Sequence, residues 1–220
     1  MNYLLIDTSN QPLSVAVVQD KQTLSEINLN IKKNHSLQLM PSIQQVIVDS
    51  GLDKSAINAI VVAKGPGSYT GLRIGVTVAK TLAYAMNVEL YGVSSLKALA
   101  ATAKNEQGLI VPLFDARREA VYTGVYKMVN QQLVNIIEDQ YLSINQLLQE
   151  LHALGEDYTF VGPDTEQLQT HLDGKCVTNI PQAKYMVDLI ESPENVHDFT
   201  PNYIKLSEAE RNWLNQQNKN

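Results

Sequence analysis

Two aspartates and one glycine-rich loop hold the residues of this chain best suited to chemistry. Asp7 and Asp115 each end an apolar run, YLLID and VPLFD. A carboxylate at the end of a strand is well placed to hold a magnesium-bound phosphate or to orient a water. It is equally well placed to cap the turn that follows. Between the two aspartates lies AKGPGSYTGLRIG, residues 63–75, in which Gly65, Gly67, Gly71 and Gly75 surround Ser68, Tyr69 and Thr70. Glycines so spaced mark a backbone that turns tightly or approaches something closely.

The loop fails the regular phosphate and nucleophile patterns. A P-loop begun at Gly65 needs glycine, lysine and a hydroxyl residue where Thr70, Gly71 and Leu72 stand. A dinucleotide fingerprint needs its third glycine at Thr70, and a serine elbow around Ser68 needs glycines at Pro66 and Thr70. What remains is an apolar run, a glycine turn and a helix start, whose free N–H groups favour an anion. A sterically constrained strand-to-helix connection satisfies the same pattern. Asp7, Gly65, Gly67, Ser68 and Asp115 therefore form a candidate phosphate or nucleotide site, possessed or lost. Arg117 and Arg118 beside Asp115 either bind an anion or sit in a solvated turn. His35, His152, His171 and His197 fall at no i, i+3 or i, i+4 spacing, so no metal site is expected.

The elements that must position these groups follow from the apolar pattern. Residues 3–7 and 13–20 predict a β-hairpin across SNQP, and residues 23–30 a third strand. Residues 35–51 predict a helix, with Ser36 as cap, Pro41 within and Gly51 as stop. Residues 56–63 read as a buried strand, and 72–86 as a second helix. Residues 108–126 then repeat the opening: an apolar strand ending in Asp, a polar turn and an alternating strand. Placing Asp7 on Asp115 puts Ile6 on Phe114, Leu5 on Leu113, Ala16 on Gly124 and Val17 on Val125, a duplication or a coincidence. Further on, a strand at 133–138, a helix at 143–153 capped by Ser143, a strand at 158–162, a short helix at 164–172 and a polar final helix within 201–214 are expected.

Both long helices carry more apolar surface than one face requires. In 72–86 one stripe is Leu72, Val76, Ala79, Ala83 and Met86, and another is Ile74, Val78, Leu82 and Ala85. Gly71, Gly75, Ala79 and Ala83 also recur every four residues, a low ridge that another helix can approach. Residues 35–51 show the same surplus. A helical interface and double burial within the chain both account for it.

The chain has 220 residues, 44% hydrophobic and 18% charged, with a net charge of −6. Such a chain is globular and long enough for two lobes, and it lacks an extended cationic stripe for nucleic acid. Its single cysteine, Cys176, permits no internal disulfide. The opening MNYLLIDTSN has no basic flank, and no apolar run reaches membrane length. A cytoplasmic protein without a membrane segment is expected.

LLIDTS with SVAVV, HSLQLMPSI, GPGSYTGLRIGVTVAKTLAYA and VPLFDARREAVYTGVY together resemble the bacterial TsaB family, also called YeaZ, and PNYIK at 201–205 is similar to a short motif near that family's C-terminus. The resemblance covers about the first 126 residues in order. It implies an α/β fold of the actin, heat-shock chaperone and sugar kinase type, with two duplicated lobes, each opening with a β-hairpin and the second reduced. The expected lobes are residues 1–103 and 104–220, with the final helix packing back on the first. The resemblance also implies a non-catalytic scaffold that dimerises with a catalytic paralogue, TsaD, and works with the ATPase TsaE. Together they form N6-threonylcarbamoyladenosine in tRNAs reading ANN codons. ATP is then used by the complex and not bound by this chain alone, and tRNA is met through the complex. A homodimer is expected when the partner is absent. The implied interface comprises Leu37, Met40, Leu72, Gly75, Val76, Ala79 and Ala83. An active ATP- and magnesium-dependent phosphotransferase is the alternative. A peptidase, suggested by the family's older glycoprotease label, is a weaker one.

Overall fold

The computed structural model describes residues 1–30 and 34–205. The first hairpin is β1 (Asn2–Asp7) and β2 (Pro12–Gln19), extended by β3 (Gln22–Asn30). Then follow α1 (His35–Ser50), β4 (Ala59–Gly65), α2 (Tyr69–Met86), β5 (Glu89–Ser94) and α3 (Ser95–Ala101). The second series is β6 (Leu109–Asp115), β7 (Ala120–Val129), β8 (Gln132–Ser143), α4 (Ile144–Leu154), β9 (Tyr158–Val161), α5 (Thr165–Leu168) and β10 (Lys175–Val177).

The two series build the same sheet twice. The first has strand order β3-β2-β1-β4-β5 and the second the mirrored listing β10-β9-β6-β7-β8. In each, the opening hairpin is antiparallel and the central strand pairs in parallel with the strand that follows a helix. The near-continuous apolar run AIVVA of β4 reflects burial on both faces, as a parallel central strand requires. This is a duplicated α/β architecture, two lobes that each open with a β-hairpin, as expected.

Each sheet has an outer layer. Leu4, Ile6, Leu13, Val15 and Val17 pack against Leu39, Ile43 and Val46 of α1 and Val76, Ala79 and Ala83 of α2. In the second lobe, Val111, Leu113, Val121 and Val125 pack against Ile144, Leu147 and Leu151 of α4. Helix α4 begins with a capping box, Ser143 with Gln146, as its cap residue predicts. Helix α1 is flanked instead by Asn34 in the left-handed region, and Ser36 is not its cap.

These layers shift the internal repeat by one residue. Val17 and Val125 do correspond, both facing the outer helices. On the central strands, Leu4 and Ile6 match Val111 and Leu113, so Asp7 occupies the place of Phe114 and not of Asp115. Six residues, 8–13, separate the paired Asp7 and Ser14, whereas five, 116–120, separate Asp115 and Val121. One residue of slip turns a strand's side chains to the opposite face.

Strand β5 and helix α3 were not legible in the sequence. Ser95, Leu96 and Ala98 to Ala101 are all buried, so α3 has no polar stripe to betray its period. Leu96, Leu99 and Ala100 join Ile110, Phe114, Tyr126 and Val161 in a core shared by both lobes. After β10 the chain leaves the second sheet and returns to the first. There Ala183 and Met186 are buried beside Leu5, Ala16 and Val61, and Ala183 N–H donates to Ser14 Oγ at 2.7 Å. The expected final helix lies outside the described residues beyond Lys205.

Candidate functional site

The glycine loop meets the turn of the first hairpin. Ser68 N–H donates to the Ser9 carbonyl at 2.7 Å, and a Cβ on Gly67 would stand 2.2 Å from that same oxygen. A Cβ on Gly71 would stand 2.1 Å from the Thr8 carbonyl, and one on Gly75 2.2 Å from Thr8 Oγ1. Thr8 Oγ1 donates to the Gly71 carbonyl at 2.7 Å. Gly65, at φ 117°, would clash at 2.5 Å with the Asn202 carbonyl. The loop's glycines therefore answer to the chain's own backbone and to Thr8. Ser68 caps α2 by accepting from Gly71 N–H at 3.3 Å.

Beneath this contact Asp7 is fully buried. Its Oδ1 accepts from Ser9 N–H at 2.8 Å, while its Oδ2 and the Ser9 hydroxyl have no hydrogen-bond partner among the described residues. Burial raises the Asp7 pKa, opposed by the Ser9 contacts and by His35. Asp115, by contrast, is exposed. Its Oδ1 accepts from Arg117 N–H at 2.7 Å, and its own N–H donates to Asp164 at 2.9 Å. The turn it opens holds Arg117, Arg118 and Glu119 at φ 66°, 57° and 55°, closed by Ala116 N–H to the Ala120 carbonyl at 2.9 Å.

A cleft of about 580 Å³ lies between the lobes, lined by Ser9, Gly67, Ser68, Tyr69, Asp115 and Arg117, among others. Of the five residues expected at a phosphate or nucleotide site, Gly67, Ser68 and Asp115 line this cleft. Gly65 lies just behind, against Asn202, and Asp7 is sealed away from it. Sequence reasoning missed Asp164, whose carboxylate accepts from Asp115 N–H and from Asn10 at 3.4 Å, joining the two hairpin turns. It also missed Tyr203 and Lys205 on the cleft's rim, although their motif PNYIK stands out.

On the inner side, Asp139 of β8 accepts from the hydroxyls of Ser94 and Tyr126. Burial raises the Asp139 pKa against the opposing effect of those two donors, and it raises the pKa of Tyr126 as well. A Cβ on Gly124 would stand 2.6 Å from Asp139 Oδ1, so this glycine admits the carboxylate.

The expected interface residues divide into two groups. Leu37 and Met40 are 67% and 48% exposed, but Leu72, Gly75, Val76, Ala79 and Ala83 are buried in their own lobe. The correction has a simple cause: α2 must lay one stripe on its own sheet, and the stripe with the small residues is the one it uses. The other stripe, Ile74, Val78, Leu82 and Ala85, is partly or fully exposed. Val48 at 65% and Tyr84 at 70% extend the exposed apolar surface of α1 and α2. Among the described residues no group of three His, Cys, Asp or Glu side chains is placed to hold a metal. No helix among them is long and apolar enough to cross a membrane.

Comparison with known proteins places this geometry in a family. The family described as TsaD, tRNA N6-adenosine threonylcarbamoyltransferase, matches residues 22–213. The tRNA threonylcarbamoyladenosine biosynthesis protein TsaB of Bacillus subtilis strain 168 is 37% identical, over 99% of this chain and 100% of that protein. The Escherichia coli K12 protein of the same name is 34% identical over 58% of this chain and 55% of its own length. The solved YeaZ of Pseudomonas aeruginosa has the same fold, with a TM-score of 0.78 at 23% identity, covering 92% of this chain and 99% of that one. A second Pseudomonas aeruginosa structure, described as an uncharacterized protein with similarity to peptidase YEAZ, gives 0.82 at 24% identity over 93% and 99%. Near-complete coverage of the Bacillus subtilis protein and the shared two-lobed fold lead to one conclusion: this chain belongs to the TsaB family of tRNA threonylcarbamoyladenosine biosynthesis proteins.

Proposed function

We propose that this chain is a non-catalytic scaffold of the machinery that forms N6-threonylcarbamoyladenosine beside the anticodon of tRNAs reading ANN codons. It docks through the outer face of α1 and α2 on the catalytic subunit TsaD, with TsaE as the ATPase of the assembly, in the cytoplasm. Without that partner the same face pairs with a second copy of the chain. The observation that carries this reading is the exposed apolar surface of Leu37, Met40, Val48 and Tyr84 beside the partly buried Ile74 and Val78. Large exposed apolar patches of this kind mark interaction surfaces.

The same reading assigns ATP to the complex and not to this chain alone. Asp7 is closed beneath the Ser9–Gly67 contact, so its carboxylate does not reach the cleft where a magnesium-bound phosphate would lie. These residues do not fit a magnesium nucleotide. The test is co-purification with TsaD, followed by tRNA modification with and without this chain. Modification that proceeds equally well without the chain, or failure to co-purify, rejects the scaffold role. Tight calorimetric binding of ATP and magnesium to the isolated chain supports the phosphotransferase alternative.

A further inference from the structure

Within four residues the segment Asn202–Lys205 passes from the first lobe to the second, across the mouth of the cleft. Its approach is firmly anchored. Phe199 is buried over Gly92, where a Cβ would stand 2.6 Å from its ring, and Lys80 Nζ donates to the Phe199 carbonyl at 2.7 Å. Asn202 N–H donates to the Lys64 carbonyl at 2.6 Å, and the absent side chain of Gly65 makes room for the Asn202 carbonyl. Beyond this anchor the contacts are made by side chains at the rim. The Tyr203 ring stacks on Tyr69 of the first lobe, with centroids 4.8 Å apart and planes at 30°. Lys205 Nζ lies 4.3 Å from the Tyr141 ring centroid in the second lobe and donates to the Tyr141 hydroxyl at 3.1 Å and to the Ala116 carbonyl at 3.5 Å.

We propose that Tyr203 and Lys205 form an intramolecular latch that holds the two lobes at one angle. Stacking and cation–π contacts at an exposed rim are individually weak. Because Asn202 is fixed beside them, they close at a high effective concentration and act together. Among the described residues the lobes also join deep in the molecule, at the shared core around α3 and its Ser94–Asp139 hydrogen bond, and at the weak 3.4 Å contact between Asn10 and Asp164. A core at the base with a side-chain clasp at the mouth is the arrangement of a hinge and its catch. The latch acts within the chain, whichever partner the first lobe binds.

The test measures the interlobe distance directly. Spin labels at the exposed positions Thr70→Cys and Asn145→Cys, in a Cys176→Ser background, report one position per lobe by pulsed electron resonance. With the latch intact a single narrow distribution is expected. Tyr203→Ala with Lys205→Ala should broaden it and displace it to longer distances, while Tyr203→Phe with Lys205→Arg, which keep the ring and the cation, should restore the narrow form. An unchanged distribution in the alanine pair overturns the latch, as does equal broadening in the conservative pair. Matching thermal unfolding midpoints for the labelled proteins confirm that folded molecules are compared.

Discussion

Thr8 Oγ1 occupies the space that a Cβ on Gly75 would need, 2.2 Å from its position, while donating to the Gly71 carbonyl one turn earlier in α2. The hairpin turn of the first strand pair is thus seated directly on the helix that follows the glycine loop.

Gly75→Ala is therefore expected to destabilise the folded chain by about 1–3 kcal/mol, although alanine is the better helix former. Thr8→Ala removes the obstructing hydroxyl and should make Gly75→Ala nearly neutral in its presence. Urea unfolding of the two single variants and the double variant measures this coupling. Additive losses would show that Thr8 is not the obstacle.

The two stripes of α2 should respond oppositely to charge. Ala85→Glu, with Leu37→Glu on α1, lies on exposed surface and should leave monomer stability within about 0.5 kcal/mol. Association through this face should weaken by at least tenfold, measured by light scattering across a concentration series and by TsaD pull-down. Ala79→Glu buries an unpaired charge in the core and should unfold the chain.

Asp7 makes stability depend on pH in a defined direction. Its carboxyl binds a proton more tightly in the folded chain than its ordinary value of 3.8 implies. Its contribution to stability is therefore complete below 3.8 and is lost as pH rises through the raised folded value. Asp7→Asn keeps the acceptor for Ser9 N–H without the charge and should remove that loss. Each unit of raised pKa corresponds to about 1.4 kcal/mol, so the variant should be the more stable form at neutral pH. Unfolding curves at several pH values check this, and equal slopes in the two proteins would reject it.

Ser94 caps α3 by accepting from Lys97 N–H at 3.1 Å and donates to Asp139 across the lobe junction. Ser94→Ala removes a cap and leaves a buried carboxylate short of a donor. The expected loss is about 2–3 kcal/mol in chemical denaturation. A loss no larger than that of an ordinary cap would mean that the junction bond contributes little.

Much of this protein was determined by its sequence alone. Alternating apolar runs marked both hairpins, 3.6-residue periodicity marked α1, α2 and α4, and the run of motifs from LLIDTS to VYTGVY pointed to the family. These signals are local, carried by residues within a few positions of one another. Periodicity also showed that α2 has two apolar stripes, but it says nothing of which one meets the sheet. Packing against β4 decided that, placing Leu72, Val76, Ala79 and Ala83 inside. The Asp7 and Asp115 repeat was legible as a pattern, yet a hairpin one residue shorter places the two aspartates on different faces. The sealing of Asp7, the reason for each loop glycine and the passage of PNYIK over the cleft all depend on contacts between residues far apart in the chain. Thr8 meets Gly75, Ser9 meets Gly67 and Asn202 meets Gly65 only after the sheet has formed, because the strand pairing brings those turns to one end of the lobe.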